Sequence, residues 1–87
     1  MPIPQKKINN LKISIILPNY NSSKYIDATI KSIINQSFKN WELIIIDDCS
    51  DEKTKKILSK YLKNKKIKII WLKRNRGAGY CRNLAIK

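Results

Sequence analysis

Four large aliphatic residues in succession, Leu43 to Ile46, constrain the fold of this chain more than any other stretch. Three of them are β-branched, and Asp47 and Asp48 follow directly. A continuous apolar run of this length is typical of a strand that is buried on both faces, in a parallel sheet with helices on each side. The two acids then lie at the carboxyl end of the strand, the edge at which open α/β sheets bind ligands.

The patterns on either side of this strand predict strands and helices in alternation. We expect strands at residues 12–17 and 67–72, and helices at about 24–36, 51–63 and 80–87. Strands this close in sequence, with a helical pattern between them, favour parallel pairing through right-handed crossovers. The predicted fold class is α/β, a three-layer βαβαβα Rossmann-like parallel sheet.

The ends of the predicted elements have their own signals. Pro18 cannot donate a hydrogen bond to a strand ladder, so we expect it to end the first strand. Ser22 or Ser23 is predicted to cap the first helix, and Ser50 or Asp51 the second.

The first eleven residues are polar and are interrupted by Pro2 and Pro4. We therefore expect residues 1–11 to form a flexible N-terminal tail and residues 12–87 to form one small domain. A domain of this size buries a modest fraction of its surface and has marginal stability by itself.

The charge of the chain is strongly positive. It has 19 Lys and Arg against 6 Asp and Glu, a net charge of +13. Such a charge favours anionic partners, which include nucleic acid, anionic lipid and phosphorylated small molecules. Lysines account for most of it and are spread over predicted helix faces and turns, which favours a general surface charge over a nucleic-acid footprint.

The two cysteines, Cys49 and Cys81, are too few for a disulfide scaffold, and the chain has no histidine. Reduced thiols are the expectation for a cytosolic protein. No apolar run approaches the 18 residues that a transmembrane helix needs. We therefore predict a cytoplasmic protein whose positive charge can hold it at the cytoplasmic face of a membrane.

Three loops follow the three predicted strands and should lie along the same sheet edge. The first contains Tyr20, whose ring can stack on a base, and the second contains acids that can accept hydrogen bonds from a base or a ribose. The third is basic and leads into a helix N-terminus, which favours phosphate. Together the loops predict a nucleotide site.

Each of these residues also has a simpler interpretation. Tyr20 is also compatible with a half-buried loop aromatic, and Asp47 and Asp48 with caps of the helix that follows them. The Gly77-Ala78-Gly79 stretch lacks the third glycine of a dinucleotide fingerprint and also fits a flexible turn. Without a histidine, nucleophilic catalysis by a cysteine is not expected.

Several segments, in order and at the appropriate spacing, resemble the start of family 2 glycosyltransferases. The segments are Ile13 to Asn21, Tyr25-Ile26, Ile30 to Phe38 and Trp41 to Ser50. The stretch from Asn75 to Ala85 is similar to the next characteristic segment of the family, N-x-G followed by A-R-N. The resemblance covers about residues 12–87.

This resemblance implies the N-terminal half of a GT-A fold and a place in cell-envelope polysaccharide biosynthesis. The implied reaction transfers a sugar from a nucleotide-sugar donor, most often UDP-linked, to a glycan or lipid acceptor. The full-length family implies Mg²⁺ or Mn²⁺ as the metal. By position, the resemblance places Pro18 and Tyr20 in the base pocket. It implies that Asp48 contacts the base or the ribose, with Asp47 beside it. Gly77 and Arg82 would lie near the donor.

The chain also departs from the family pattern. No acid follows Glu52, so the D-x-D metal motif and the later catalytic base are absent. We expect no catalytic residue and no metal ligand in this chain, and we interpret it as a truncated donor-nucleotide-binding half that is inactive alone. Cys49 stands where the family usually has glycine, and Cys81 where it has alanine.

Two other interpretations remain open. A small basic nucleic-acid-binding domain would show aromatic residues interleaved with Lys and Arg on one surface. It would bind DNA in a salt-dependent manner and ignore UDP. A non-catalytic remnant that does not fold would show collapsed amide dispersion in a two-dimensional NMR spectrum.

Overall fold

The computed structural model describes residues 5–9 and 12–86 and shows an α/β fold. Four strands and three helices follow one another as β1 (Gln5–Asn9), β2 (Lys12–Asn19), α1 (Ile26–Ile34), β3 (Trp41–Asp47), α2 (Glu52–Ser59), β4 (Ile67–Trp71) and α3 (Ala78–Ile86). The predicted βαβαβα order is confirmed and is preceded by one additional strand.

The strands form one sheet in the order β1-β2-β3-β4. The last three are parallel, with Leu17 opposite Ile45 and Ile46 opposite Ile70. The aliphatic run of β3 is therefore in the middle of the parallel strands, as its sequence predicts. At the other side of the sheet, β4 alternates in part: Ile67 and Ile69 are more buried than Lys68 and Ile70, while Trp71 is exposed. Partial alternation is expected of an edge strand.

The additional strand β1 corrects the prediction of a flexible N-terminal tail. Residues 5–9 of that segment pair antiparallel with β2 along their whole length. Their sequence is polar apart from Ile8, so it lacks the alternation that identifies strands. Polar, lysine-containing strands are typical of sheet edges, where charge opposes pairing with another molecule. The rest of the predicted tail is outside the described residues.

Pro18 does not end the first predicted strand, because it lies inside β2 opposite Ile46. The amide of Ile13 donates to the carbonyl of Asn40 on the β3 side, at 3.0 Å. Since backbone groups alternate in direction along a strand, the nitrogen of Pro18 faces the β1 side. The described pairing with β1 ends at Ile16, so the missing N–H of the proline interrupts none of the ladder hydrogen bonds among the described residues.

Each face of the sheet has its own core, which gives the three layers that the sequence predicts. The larger core joins the sheet to α1 and α2, and its fully or nearly fully buried members are Ile15, Leu17, Ile26, Ile30, Ile33, Trp41, Leu43, Ile45, Leu58 and Ile67. On the opposite face, Ile16 and Ile46 pack with Cys81 of α3, and Leu84 covers them in part. The sheet is thus enclosed by α1 and α2 on one side and by α3 on the other.

The predicted cap of α1 is wrong. The helix begins at Ile26, and Tyr25 occupies the cap position without a side-chain hydrogen bond. The carbonyl of Ser22 instead accepts from the amides of Tyr25 and Ile26, which forms a turn ahead of the helix. Asp51, one of the two predicted caps of α2, does cap that helix by accepting from the amide of Thr54. Turns shorten α1 at both ends and α2 at its C-terminal end relative to their predicted ranges.

An acidic residue links α1 to the segment after α2. Asp27 forms an ion pair with Lys31 (2.9 Å), pairs with Lys60 (3.2 Å) and accepts a hydrogen bond from the hydroxyl of Tyr61. The Tyr61 hydroxyl and the two ammonium groups hold the pKa of Asp27 well below its ordinary value. Burial and the same hydrogen bond raise the pKa of Tyr61 to about 12.

None of the three helices in the described part of the chain has both the length and the apolar content that a bilayer-spanning segment needs.

Candidate functional site

Three loops follow the parallel strands along one edge of the sheet. They comprise residues 20–25 after β2, 48–51 after β3 and 72–77 after β4. The chain leaves β3 toward the face that holds α2, but it leaves β4 toward the opposite face, which holds α3. Open α/β sheets bind ligands outside the carboxyl ends of their parallel strands, which is where these three loops lie. The topology therefore places a candidate site at the carboxyl ends of β3 and β4.

Asp47 lies beneath this edge and is fully buried. Its Oδ1 accepts from the side-chain amide of Asn19 at 3.2 Å, and its Oδ2 accepts from the backbone N–H of Ser50 at 3.1 Å. The hydroxyl of Ser22 donates in turn to the side-chain oxygen of Asn19. Asp47 thus joins the end of β2 to the turn between β3 and α2, with a hydrogen bond at each of its carboxylate oxygens.

Asn21 connects the first loop to the second through two hydrogen bonds. Its backbone N–H donates to the hydroxyl oxygen of Ser50 at 2.9 Å, and its side-chain oxygen accepts from the N–H of Asp51 at 2.7 Å. Asn21 has a φ of 45°, a left-handed conformation that asparagine adopts more readily than most residues. These two hydrogen bonds join the first loop to the second.

Asp48 joins the second loop to the third. Its side chain is only 4% exposed, and its Oδ1 accepts from the backbone N–H of Arg76 at 2.6 Å. Its Oδ2 accepts from the backbone N–H of Gly77 at 2.7 Å. The backbone N–H of Asp48 donates to the carbonyl of Asn19 at 2.8 Å, so this residue joins the end of β2 to the third loop.

Cys49 turns the chain between the two acids and α2. Its φ is 60°, in the left-handed region that glycine adopts without strain. The structure thus requires a positive φ at the position where the resemblance has glycine. The thiol donates to the carbonyl of Lys73 at 3.4 Å, a weak contact that also reaches the third loop.

The groups that point away from this network are aromatic and basic. The ring of Tyr20 is 51% exposed beside the first loop. The guanidinium of Arg76 lies over the ring of Tyr80, 5.2 Å from its centroid, and both side chains are exposed. Gly77 has a φ of 86° and precedes the first turn of α3, which contains no acid. An exposed ring and an electropositive helix start therefore lie on the same sheet edge.

The structure places the six predicted site residues as follows. Pro18 is buried in β2, Tyr20 is exposed, Asp47 and Asp48 are buried at the end of β3, and Gly77 is half-buried before α3. Arg82 belongs to α3, but its side chain is outside the described part of the structure. The first five lie at one edge of the sheet, where hydrogen bonds join Asp48 to Gly77 and Asp47 to its neighbours. Their contacts with a ligand stay a prediction.

The sequence analysis did not predict which residues hold the loops together, although it named Ser22 and Ser50 as candidate helix caps and Gly77 as a site residue. The residues that do so are Asn19, Asn21, Ser22 and Ser50, together with the peptide groups of Arg76 and Gly77. The available signal was the density of Asn and Ser in the first loop, because such side chains hydrogen-bond to nearby backbone. That signal predicts a turn but does not identify a partner that is 28 or 29 residues away.

The described residues contain no group of three or more acidic, cysteine or histidine side chains arranged to hold a metal ion. The two adjacent acids already accept hydrogen bonds from amide groups, as described above. The divalent ion that the resemblance implies for the full-length family therefore has no fitting ligand set among them.

The chain matches known proteins along most of its length. The model of glycosyl transferase family 2 matches residues 14–87. TuaG of Bacillus subtilis strain 168, named for teichuronic acid biosynthesis, is 42% identical over 76 residues, which are 86% of this chain and 30% of TuaG. WfgD of Escherichia coli, named as a UDP-Glc:α-D-GlcNAc-diphosphoundecaprenol β-1,3-glucosyltransferase, is 38% identical over 76 residues, 86% of this chain and 29% of WfgD.

A solved structure shows the same fold. The crystal structure of residues 1–349 of Staphylococcus aureus TarS superposes with a TM-score of 0.74 at 38% sequence identity. The match covers 84% of this chain and 23% of the TarS chain. The parallel sheet and its helices therefore form part of a GT-A glycosyltransferase fold, and the chain spans less than a third of the length of these relatives.

Proposed function

This chain belongs to glycosyl transferase family 2, and on that premise we propose that it binds the nucleotide of a sugar donor. The complete reaction would transfer a sugar from a UDP-sugar to a glycan or lipid acceptor of the cell envelope. UDP is proposed as the nucleotide because the printed name of WfgD specifies a UDP-linked donor. Residues that perform the transfer are not among those described.

The observation that supports this proposal is the joining of three loops at the carboxyl edge of the parallel strands. Asp48 and Asn21 hold the second loop to the third and the first, respectively. The joined loops present one exposed ring, that of Tyr20, and one helix N-terminus, that of α3. A base can stack on the ring, while the helix N-terminus favours the negative charge of a diphosphate.

Within this site, the predicted residues have different roles. Tyr20 would stack on the base beside Pro18, and Asp48 would act near the base and ribose. Asp47 is fully buried, so it would support the site from beneath through Asn19 and Ser50. Gly77 and Arg82 would lie at the diphosphate end, where α3 begins.

We also place this chain in the cytoplasm, at the anionic face of a membrane. Thirteen of its 19 basic residues and none of its six acids follow Glu52. Lys53, Lys56 and Lys63 are exposed along α2 and the turn that follows it. Each Lys near an anionic bilayer contributes about 1 kcal/mol of attraction, so such a face favours a surface at which lipid-linked acceptors reside.

Calorimetric titration of the chain with UDP tests the nucleotide site. Tyr20→Ala should weaken UDP binding about 5- to 150-fold, because stacking of a base on an aromatic ring is worth about 1–3 kcal/mol. Phe38→Ala is the matched control, since Phe38 is similarly exposed (44%) but precedes β3, at the opposite edge of the sheet. Absence of UDP binding to the folded chain, or equal effects of the two substitutions, would overturn the proposal.

A further inference from the structure

The peptide groups at the end of the third loop already hold an anion, which is the carboxylate of Asp48. Both hydrogen bonds, from Arg76 N–H at 2.6 Å and Gly77 N–H at 2.7 Å, are at or below the usual length for N–H···O. They are charge-assisted, and the carboxylate is 4% exposed. Consecutive N–H groups that converge on one point form an anion-binding concavity, and here a side chain of the protein fills it.

This occupation fixes the start of α3. Gly77 has a φ of 86°, and its carbonyl accepts from the N–H of Cys81 at 3.2 Å, which closes the first turn of the helix. The N–H of the same residue is held by Asp48. The position of the carboxylate therefore determines where the first turn of α3 lies relative to β3.

The same pair of bonds places the side chain of Arg76. Its peptide group is fixed by Asp48, while its guanidinium stacks on Tyr80 one turn into α3. An arginine that is held at both ends has fewer rotamers to lose when it binds an anion. Because Asp48 occupies the N–H groups of Arg76 and Gly77, this guanidinium and the N–H groups at the start of α3 are the groups that can bind a phosphate.

We infer that Asp48 is a positioning residue, which fixes the third loop so that Arg76 and the start of α3 face the diphosphate of the donor. This role is additional to any contact of Asp48 with the base or ribose. The part of the inference that names the diphosphate rests on the proposed function, whereas the part that concerns the loop geometry does not.

Hydrogen exchange in the absence of ligand tests the loop geometry directly. In the wild-type chain the amides of Arg76 and Gly77 should be protected, although both precede the helix. Asp48→Asn removes the charge and puts an N–H₂ group against one of these donors, so their exchange should accelerate about tenfold or more. Asp51→Asn is the control with the same change of charge, because Asp51 caps α2 and asparagine caps equally well.

A double-mutant cycle on UDP affinity tests the consequence for binding. If Asp48 acts through the loop, Arg76→Ala should weaken UDP binding about fivefold or more in the wild type and less than about twofold in Asp48→Asn. Additive effects would mean that the two residues act independently, which would overturn the positioning role. This readout separates positioning from a general loss of stability, since Asp51→Asn should leave the effect of Arg76→Ala unchanged.

The outcomes also separate this inference from the proposed function. Rapid exchange of the Arg76 and Gly77 amides in the folded wild-type chain overturns the positioning role, even if UDP binds. This result needs only the wild-type chain, so it holds even if Asp48→Asn does not fold. Slow exchange of these amides in the wild type and faster exchange in Asp48→Asn support the loop geometry, even if UDP does not bind. Absence of UDP binding would then overturn the proposed function and not the loop geometry.

Discussion

Replacing Cys49 by glycine should stabilise this chain. At its φ of 60°, a residue with a Cβ atom costs about 1–2 kcal/mol relative to glycine. Glycine in turn adds flexibility to the unfolded chain, which costs about 0.4–1 kcal/mol. The lost thiol contact with Lys73 is long, at 3.4 Å, and weak. The net gain in the free energy of unfolding should therefore be close to about 1 kcal/mol.

Thermal unfolding followed by circular dichroism measures this difference. For a domain of this size, about 1 kcal/mol corresponds to a rise in Tm of about 4–8 °C. Cys49→Ala keeps the Cβ atom and removes the thiol, so its Tm should stay near that of the wild type or fall below it. An equal rise in both variants would assign the effect to the thiol, and no rise in Cys49→Gly would refute the argument from backbone conformation.

Three further substitutions test other parts of the structure. Asp27 has a lowered pKa in the fold, so its charged form stabilises the fold above the unfolded pKa of about 3.9, and this contribution is lost as pH falls. Asp27→Asn should therefore lower the urea midpoint at pH 7 and flatten the decline of that midpoint below about pH 5. Parallel plots of the urea midpoint against pH for the variant and the wild type would contradict the link to Tyr61. Leu43→Ala should cost about 2–5 kcal/mol in urea unfolding, because Leu43 is fully buried in the larger core. Reversing Lys53, Lys56 and Lys63 to glutamate should weaken binding to anionic vesicles at least about tenfold, and undiminished binding would exclude α2 as the membrane-facing side.

The parts of the fold that depend on local sequence could be predicted. The aliphatic run of β3 has one stable location, between two other strands and under helices on both faces. Asp51 was among the predicted caps because its side chain and the start of the apolar helical pattern are adjacent in sequence. For such features, the interactions that determine the structure lie within a few residues.

The parts that depend on distant partners could not be predicted. β1 has a polar sequence and forms a strand because the edge of β2 offers it backbone partners. Pro18 is tolerated inside β2 only because its nitrogen faces the side where the described pairing has ended. Ser22 does not cap α1, since its hydroxyl binds Asn19 at the end of the preceding strand instead.

The candidate site shows the same division. The three loops could be assigned to one edge from the strand order alone. The bonds from Asp48 to the third loop span 28 residues or more, and no local pattern in the sequence indicates them. The sequence therefore identified acids at the site, while the structure shows which donors each acid holds.

An NMR titration of the ¹⁵N-labelled chain with UDP tests the central claim most directly. The account predicts shifts of the amides of Tyr20, Asp48 and Gly77, which lie on three separate loops of the same sheet edge, all with one dissociation constant. Shifts confined to the exposed lysines of residues 53–66, or no shifts in a well-dispersed spectrum, would contradict the nucleotide site.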